Sequence, residues 1–224
     1  MSERELLRID TDDEIMKIIQ RLDSLGDQLD SPRVLAKAIN QTAREFRTKL
    51  KKYHKKYYAV TDQDVLERKD YGAVQVKNAS GENIDSTLLS RGPMLDLMKF
   101  MVKGGTGNAA AAAKVINSHS LVSLEKGNLK AFVATFASGH VAVVQRDPPK
   151  KYTSTGASAR LAAQKAAGRN WPPDMTKVKK LLGPAMPIMY GNIVEEYGMM
   201  NDQELVYTTL RKYIDKEINR ILSK

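Results

Sequence analysis

SPRVLAKAINQTAREFRTKLKKYHKKY, residues 31–57, decides how the rest of the chain is read. Ser31 suits a helix N-cap, and Pro32 suits the first helical position, where a missing N–H costs nothing. Leu35, Ile39, Phe46, Leu50, Tyr53 and Tyr57 then recur at helical spacing along one stripe. At about 100° per residue, Arg33, Lys37, Arg44, Lys51 and Lys55 fall on the opposite side. The spacing predicts one long helix with an apolar face and a basic face.

Further along, the period changes. Ala73–Lys77 alternates, and Leu95–Val102 reads as a strand buried on much of both faces. Leu121–Leu124, Ala131–Phe136 and His140–Gln145 are further strands, with Ala137-Ser138-Gly139 short enough for a hairpin turn. Asp12 to about Leu25 has helical spacing, with Gly26 as its stop. Thr176–Leu182 reads as a short helix halted by Gly183-Pro184, and Asp202–Leu222 as a long one. Two long helices covering a central, mainly antiparallel sheet make an α+β fold. The expected organisation is an acidic, helical segment over 1–30 followed by a single α+β domain over 31–224. Within it, 147–174 is rich in Pro, Ser, Gly, Ala and cations, and is expected to be an extended loop or arm that orders against a partner. Ala159–Ala167 is a candidate brief helix inside that arm.

Composition narrows the chemistry. The chain has 224 residues, 36 Lys and Arg against 26 Asp and Glu, and a net charge of +10. Cysteine is absent, which excludes disulfides, a thiol nucleophile and any Cys-ligated metal. The start, MSERELLRID, is charged from its third residue and does not read as a leader peptide. The apolar run Ala131–Gln145 is too short to cross a bilayer.

No catalytic motif gathers these residues. Gly105–Ala110 spells G-x-G-x-x-A, with Glu125 twenty residues beyond Gly105, but a dinucleotide site needs a βαβ unit, and strand and hairpin follow here. The chain has no G-x-S-x-G and no H-E-x-x-H. His140 follows Ser138 and Gly139, yet adjacency in a turn does not orient a base toward a nucleophile. His119 has no histidine near it, and His54 sits among lysines, a poor place for a cation ligand. No metal site or cofactor is expected.

Charge is unevenly spread. Residues 1–30 hold four basic and nine acidic side chains, net −5, and residues 31–60 hold nine basic and one acidic, net +8. The basic face has three readings: contact with phosphates, a solvated helix surface, or contact with an acidic segment of a neighbouring subunit.

Three stretches, in order, resemble the bacteriophage minor tail protein Z family of tail completion (neck) proteins. Leu35-Ala36-Lys37-Ala38-Ile39-Asn40-Gln41-Thr42-Ala43-Arg44 is similar to its L-A-x-A-[LI]-N-x-T-A helix. Ala131-Phe132-Val133-Ala134-Thr135-Phe136-Ala137-Ser138-Gly139-His140 resembles its A-F-[IV]-A-x-[MF]-x-S-G-H hairpin. Leu182-Gly183-Pro184-Ala185-Met186-Pro187-Ile188-Met189 is similar to its [YF]-G-P-[SA]-[VM]-P-x-M turn. The resemblance implies a non-enzymatic virion protein, assembled in the host cytoplasm, that forms a homo-oligomeric ring, a hexamer, at the head-proximal end of a tail. Its implied partners are copies of itself, the tail terminator and the head-completion proteins, with DNA passing through the ring and no membrane. Ser138, Gly139 and His140 would form a tight hairpin tip, and Gly183, Pro184 and Pro187 would stiffen the lead-in to the last helix. Acidic residues 10–30 and the basic face, including Arg33, Lys37, Arg44, Lys51 and Lys55, would contribute to subunit contacts, with reversal at Lys37, Arg44 and Lys51 abolishing the ring without unfolding the monomer. A basic nucleic-acid-binding accessory protein is the alternative reading.

Overall fold

The structure, a computed structural model, describes residues 2–9, 17, 20, 31–62, 74–80, 84–104, 109–136, 138–151, 158, 161–162, 165–168, 176–196 and 203–223. The chain divides into two compact units, one of Met1–Tyr58, Asp62–Leu95 and Pro184–Lys224, the other of Ala59–Thr61 and Asp96–Gly183. The class is α+β, with three helices and several small antiparallel sheets among the described residues.

In the first unit, α1 (Ser31–Tyr57) runs over the stretch its N-cap and stripe predict. Leu35, Ile39, Phe46 and Leu50 are fully buried, each contributing about 1.5–3 kcal/mol relative to exposure. The buried arc is wider than the apolar stripe. α3 (Gln203–Leu222) lies along one flank of α1, and its Ile218 and Ile221 pack against Val34. Behind α1 is a three-stranded sheet in the order β1-β3-β2, built from β1 (Ser2–Ile9), β2 (Gln75–Lys77) and β3 (Ser86–Gly92). α2 (Met186–Glu196) packs on β1 and β3, burying Met186, Met189, Tyr190 and Ile193.

β1 corrects the expected helical character of the 1–30 segment over residues 2–9. An acidic composition carries no period. Leu6 and Ile9 are buried, and a register shift between Glu5 and Leu7 breaks the alternation that would announce a strand. Of the expected Asp12–Leu25 helix, Lys17 and Gln20 are helical and exposed, and the rest lies outside the described residues.

The second unit holds the hairpin. β9 (Leu129–Thr135) and β10 (Val141–Lys151) pair antiparallel with Val141 opposite Thr135. Gly139 sits at the tip with φ 79°, donating its N–H to Phe136 O at 2.8 Å. β11 (Thr176–Lys180) extends this sheet, so the expected helix over Thr176–Leu182 is a strand. Residues 176–180 lie along the β10 edge, where ladder hydrogen bonds override weak local helix preference. β8 (Glu125–Lys126) completes the order β11-β10-β9-β8.

The opening residues of the expected arm, Asp147–Lys151, belong to β10. Pro148 and Pro149 fall where the register shifts between Arg146 and Lys151, the position at which a sheet tolerates lost donors. Within 159–167, residues 161, 162, 165 and 166 are helical and exposed, and Gly168 follows with φ 68°. The remainder of the arm, and Gly105–Asn108, lie outside the described residues.

The expected strand Leu95–Val102 is broken in two. Asp96, which ends β4 (Met94–Asp96), accepts a hydrogen bond on its carboxylate from the Met98 N–H and caps the 3₁₀ turn Leu97–Lys99. β5 (Met101–Lys103) then joins β6 (Ala112–Lys114) and β7 (Val122–Ser123) in a second small sheet. Ala112 and Ala113, the last of the five consecutive alanines at 109–113, therefore lie in a strand. β12 (Leu182–Ala185) pairs with β4.

Candidate functional site

The α1–α3 seam carries the most concentrated chemistry. Lys37 Nζ lies 2.9 Å from Glu217 Oε2, and Gln41 Nε2 donates to Glu217 Oε1 at 3.3 Å. Arg220 Nε reaches the same carboxylate at 3.0 Å. Burial is the largest influence on Glu217 and opposes its charge, but the Lys37 and Arg220 contacts outweigh it and hold the carboxyl below its ordinary value.

One helical turn on, Glu45 accepts the Tyr213 hydroxyl hydrogen bond at 2.8 Å. That bond is the main influence drawing the Glu45 carboxyl down; partial burial works against it, while Lys49 at 3.1 Å and Lys212 at 3.6 Å work with it. Tyr213 is pushed up in turn, by burial first and then by the Glu45 charge. Gln41, Arg44, Glu45, Thr48, Lys49, Tyr213 and Lys216 line an open groove of about 510 Å³.

The predicted basic face is thus divided. Lys37 is exposed but is engaged by a buried carboxylate of its own chain. Reversing it would set a second carboxylate beside Glu217, so the expected triple reversal at Lys37, Arg44 and Lys51 would disturb the monomer. Arg33, Arg44 and Lys55 are exposed, and Lys51 is half-buried.

Asn40, within the L-A-x-A-I-N stretch, has a role the sequence reading missed. Its Nδ2 donates to Ala79 O at 3.0 Å and its Oδ1 accepts from Ala79 N at 2.7 Å. An amide side chain thereby imitates a strand neighbour just after β2, and periodicity carries no trace of such a contact.

At the hairpin tip, Ser138, Gly139 and His140 are exposed. His140 Nε2 lies 3.2 Å from Asp96 Oδ2, and Lys180 Nζ lies 2.7 Å from the same oxygen. The Phe136 ring stacks on His140 with centroids 6.2 Å apart. His140 therefore ties the tip to the residue that caps the 3₁₀ turn, and Ser138 makes no described contact with it.

Gly183 is buried against the ring of Phe100, where any added Cβ would collide. Gly183 and Pro184 lie in β12, and Pro187 is the second residue of α2. The expected lead-in to the last helix is instead the lead-in to the middle one. A proline in a first helical turn loses no intrahelical bond, so Pro187 marks a helix start that the sequence reading passed over.

The other histidines differ. His54 is fully buried on the inner side of α1, stacked on Tyr58 at 5.2 Å and tilted against Tyr190 at 5.3 Å. Neither ring nitrogen has a hydrogen-bond partner, and burial pulls its pKa down to about 4. His119 is exposed. No cluster of three potential metal ligands occurs among the described residues. Compared with protein-family models, curated proteins and solved structures, the chain matches none of them.

Proposed function

We propose that this chain is a structural subunit that closes into a homo-oligomeric ring at the head-proximal end of a phage tail, serving head–tail joining and passage of DNA. The observation that carries the reading is the order of the three stretches that resemble the tail completion family. They fall on a helix, a hairpin and a strand-to-helix passage of this chain, in the sequence the resemblance implies. Asn40, Gly139 and Gly183 act within those stretches through backbone geometry rather than reactive chemistry. α1 backs the β1-β3-β2 sheet, α3 lies along a flank of α1, and Arg33, Arg44 and Lys55 of α1 are exposed.

A ring repeats one head-to-tail contact, so each subunit carries two complementary surfaces. Acidic residues 10–30 and the exposed cations Arg33 and Lys55 supply opposite charges for such a contact. In this reading the subunit is non-enzymatic, needs no cofactor, and meets the tail terminator and head-completion proteins in the virion.

The test is an add-back assay with tails assembled without this chain. Purified protein should restore joining to DNA-filled heads and appear by electron microscopy at one tail end. The variant Arg33→Glu/Lys55→Glu, which spares Lys37, should restore joining poorly. Tails that join heads equally well without the protein would refute the proposal.

A further inference from the structure

Nearly all of the chain's net charge sits on two helices. α1 and α3 together hold thirteen Lys and Arg against four Asp and Glu, an excess of +9 in a chain whose total is +10. Two of the four carboxylates are already matched, Glu217 by Lys37 and Arg220, and Glu45 by Lys49 and Lys212. Arg44, Lys212 and Lys216 are exposed beside the seam.

The groove at the seam concentrates it. Arg44 and Lys216 stand on its walls, Lys49 and Lys212 flank Glu45, and Thr48 adds a hydroxyl. The four cations face a single carboxylate. Such a lining offers mobile positive donors that suit phosphate oxygens, and few acceptors with which to read base edges.

We infer that the α1–α3 groove binds the sugar-phosphate backbone of duplex DNA, through charge and without base specificity. Arg44, Lys49, Lys212 and Lys216 make the phosphate contacts. The inference concerns the chain's own surface and does not depend on ring closure.

Fluorescence anisotropy with a labelled duplex of about three helical turns tests it. Four phosphate contacts give a salt slope of about −3.6, so affinity should fall on the order of 100-fold between about 50 and 200 mM salt. Arg44→Gln/Lys216→Gln should bind at least about 10-fold more weakly at the lower salt, with a slope near half the original. The charge-retaining Arg44→Lys/Lys216→Arg pair should bind as the parent does, as should Lys103→Gln/Lys126→Gln, two exposed cations of the other unit. A second duplex of unrelated sequence should bind equally. Undetectable binding at low salt, undiminished binding by the groove pair, or an equal loss in the control pair would overturn the inference. So would a groove variant that alters assembly mass with DNA affinity intact, since that assigns the groove to a protein partner. The ring reading stands or falls separately, on the assembly mass of the parent chain.

Discussion

Lys37 and Glu217 lie 180 residues apart in sequence and 2.9 Å apart in space, an outward-reaching ammonium closing over a carboxylate with a side-chain exposure of 4%. This pair fastens the last helix to the first. It also sets an intrachain clamp within what reads in sequence as one basic surface.

Breaking the clamp should destabilise the monomer. Lys37→Ala leaves Glu217 with Arg220 and Gln41, and the expected loss is about 1–2 kcal/mol. Lys37→Glu adds like charge beside a buried group, and about 3 kcal/mol or more should be lost. Urea denaturation measures both. Because Glu217 titrates lower folded than unfolded, its contribution is present above the ordinary carboxylate value of 4.5 and fades as pH falls through the lower folded value. Lys37→Ala should flatten that acid limb.

His54 acts in a different pH window. Its folded pKa of about 4 lies below the ordinary 6.5, so the unfolded chain binds the proton more readily. Stability is then full above about pH 6.5 and declines towards about pH 4, with about 2 kcal/mol lost between about pH 8 and pH 5. His54→Phe keeps a ring against Tyr58 and Tyr190 and removes both orphaned nitrogens. It should cost less than about 1 kcal/mol at neutral pH and abolish the slope between about pH 6.5 and 5. Thermal melts across this range decide it, and an unchanged slope would count against the burial argument.

Two glycines should fail for separate reasons. Gly139 has φ 79° and open space where a Cβ would stand, so Gly139→Ala carries conformational strain alone, about 1 kcal/mol. Gly183→Ala drives a methyl into Phe100, whose exposure is 1%, and should cost about 1–3 kcal/mol. Trimming the ring in Gly183→Ala/Phe100→Leu should recover part of the second loss and none of the first. Equilibrium unfolding of the three variants distinguishes the two mechanisms.

What the sequence disclosed follows from where local and tertiary forces agree. Ser31-Pro32 and the stripe from Leu35 to Tyr57 announce α1 because the local start signal and the burial of Leu35, Ile39, Phe46 and Leu50 favour the same helix. Gly139 announces the hairpin because only a left-handed residue closes that tip. β3 stayed hidden because its buried face includes Ser86 and Ser90, at 1% and 0% exposure, which no hydrophobic pattern reveals. Thr176–Lys180 misled because its place in the sheet depends on β10, some thirty residues earlier. The charges of α1 were legible as a basic face, but Glu217 had to be brought in by α3 before their separate roles emerged. His54 was invisible for a similar reason, since its lysine neighbours in sequence point away from the core it enters.

The central claim is self-assembly, and native mass spectrometry of the purified chain tests it most directly. The account predicts a closed species at a whole multiple of 25.0 kDa, a hexamer, which Arg33→Glu/Lys55→Glu returns to the single-chain mass. A chain that stays at 25.0 kDa at every concentration, with or without tails present, would contradict it.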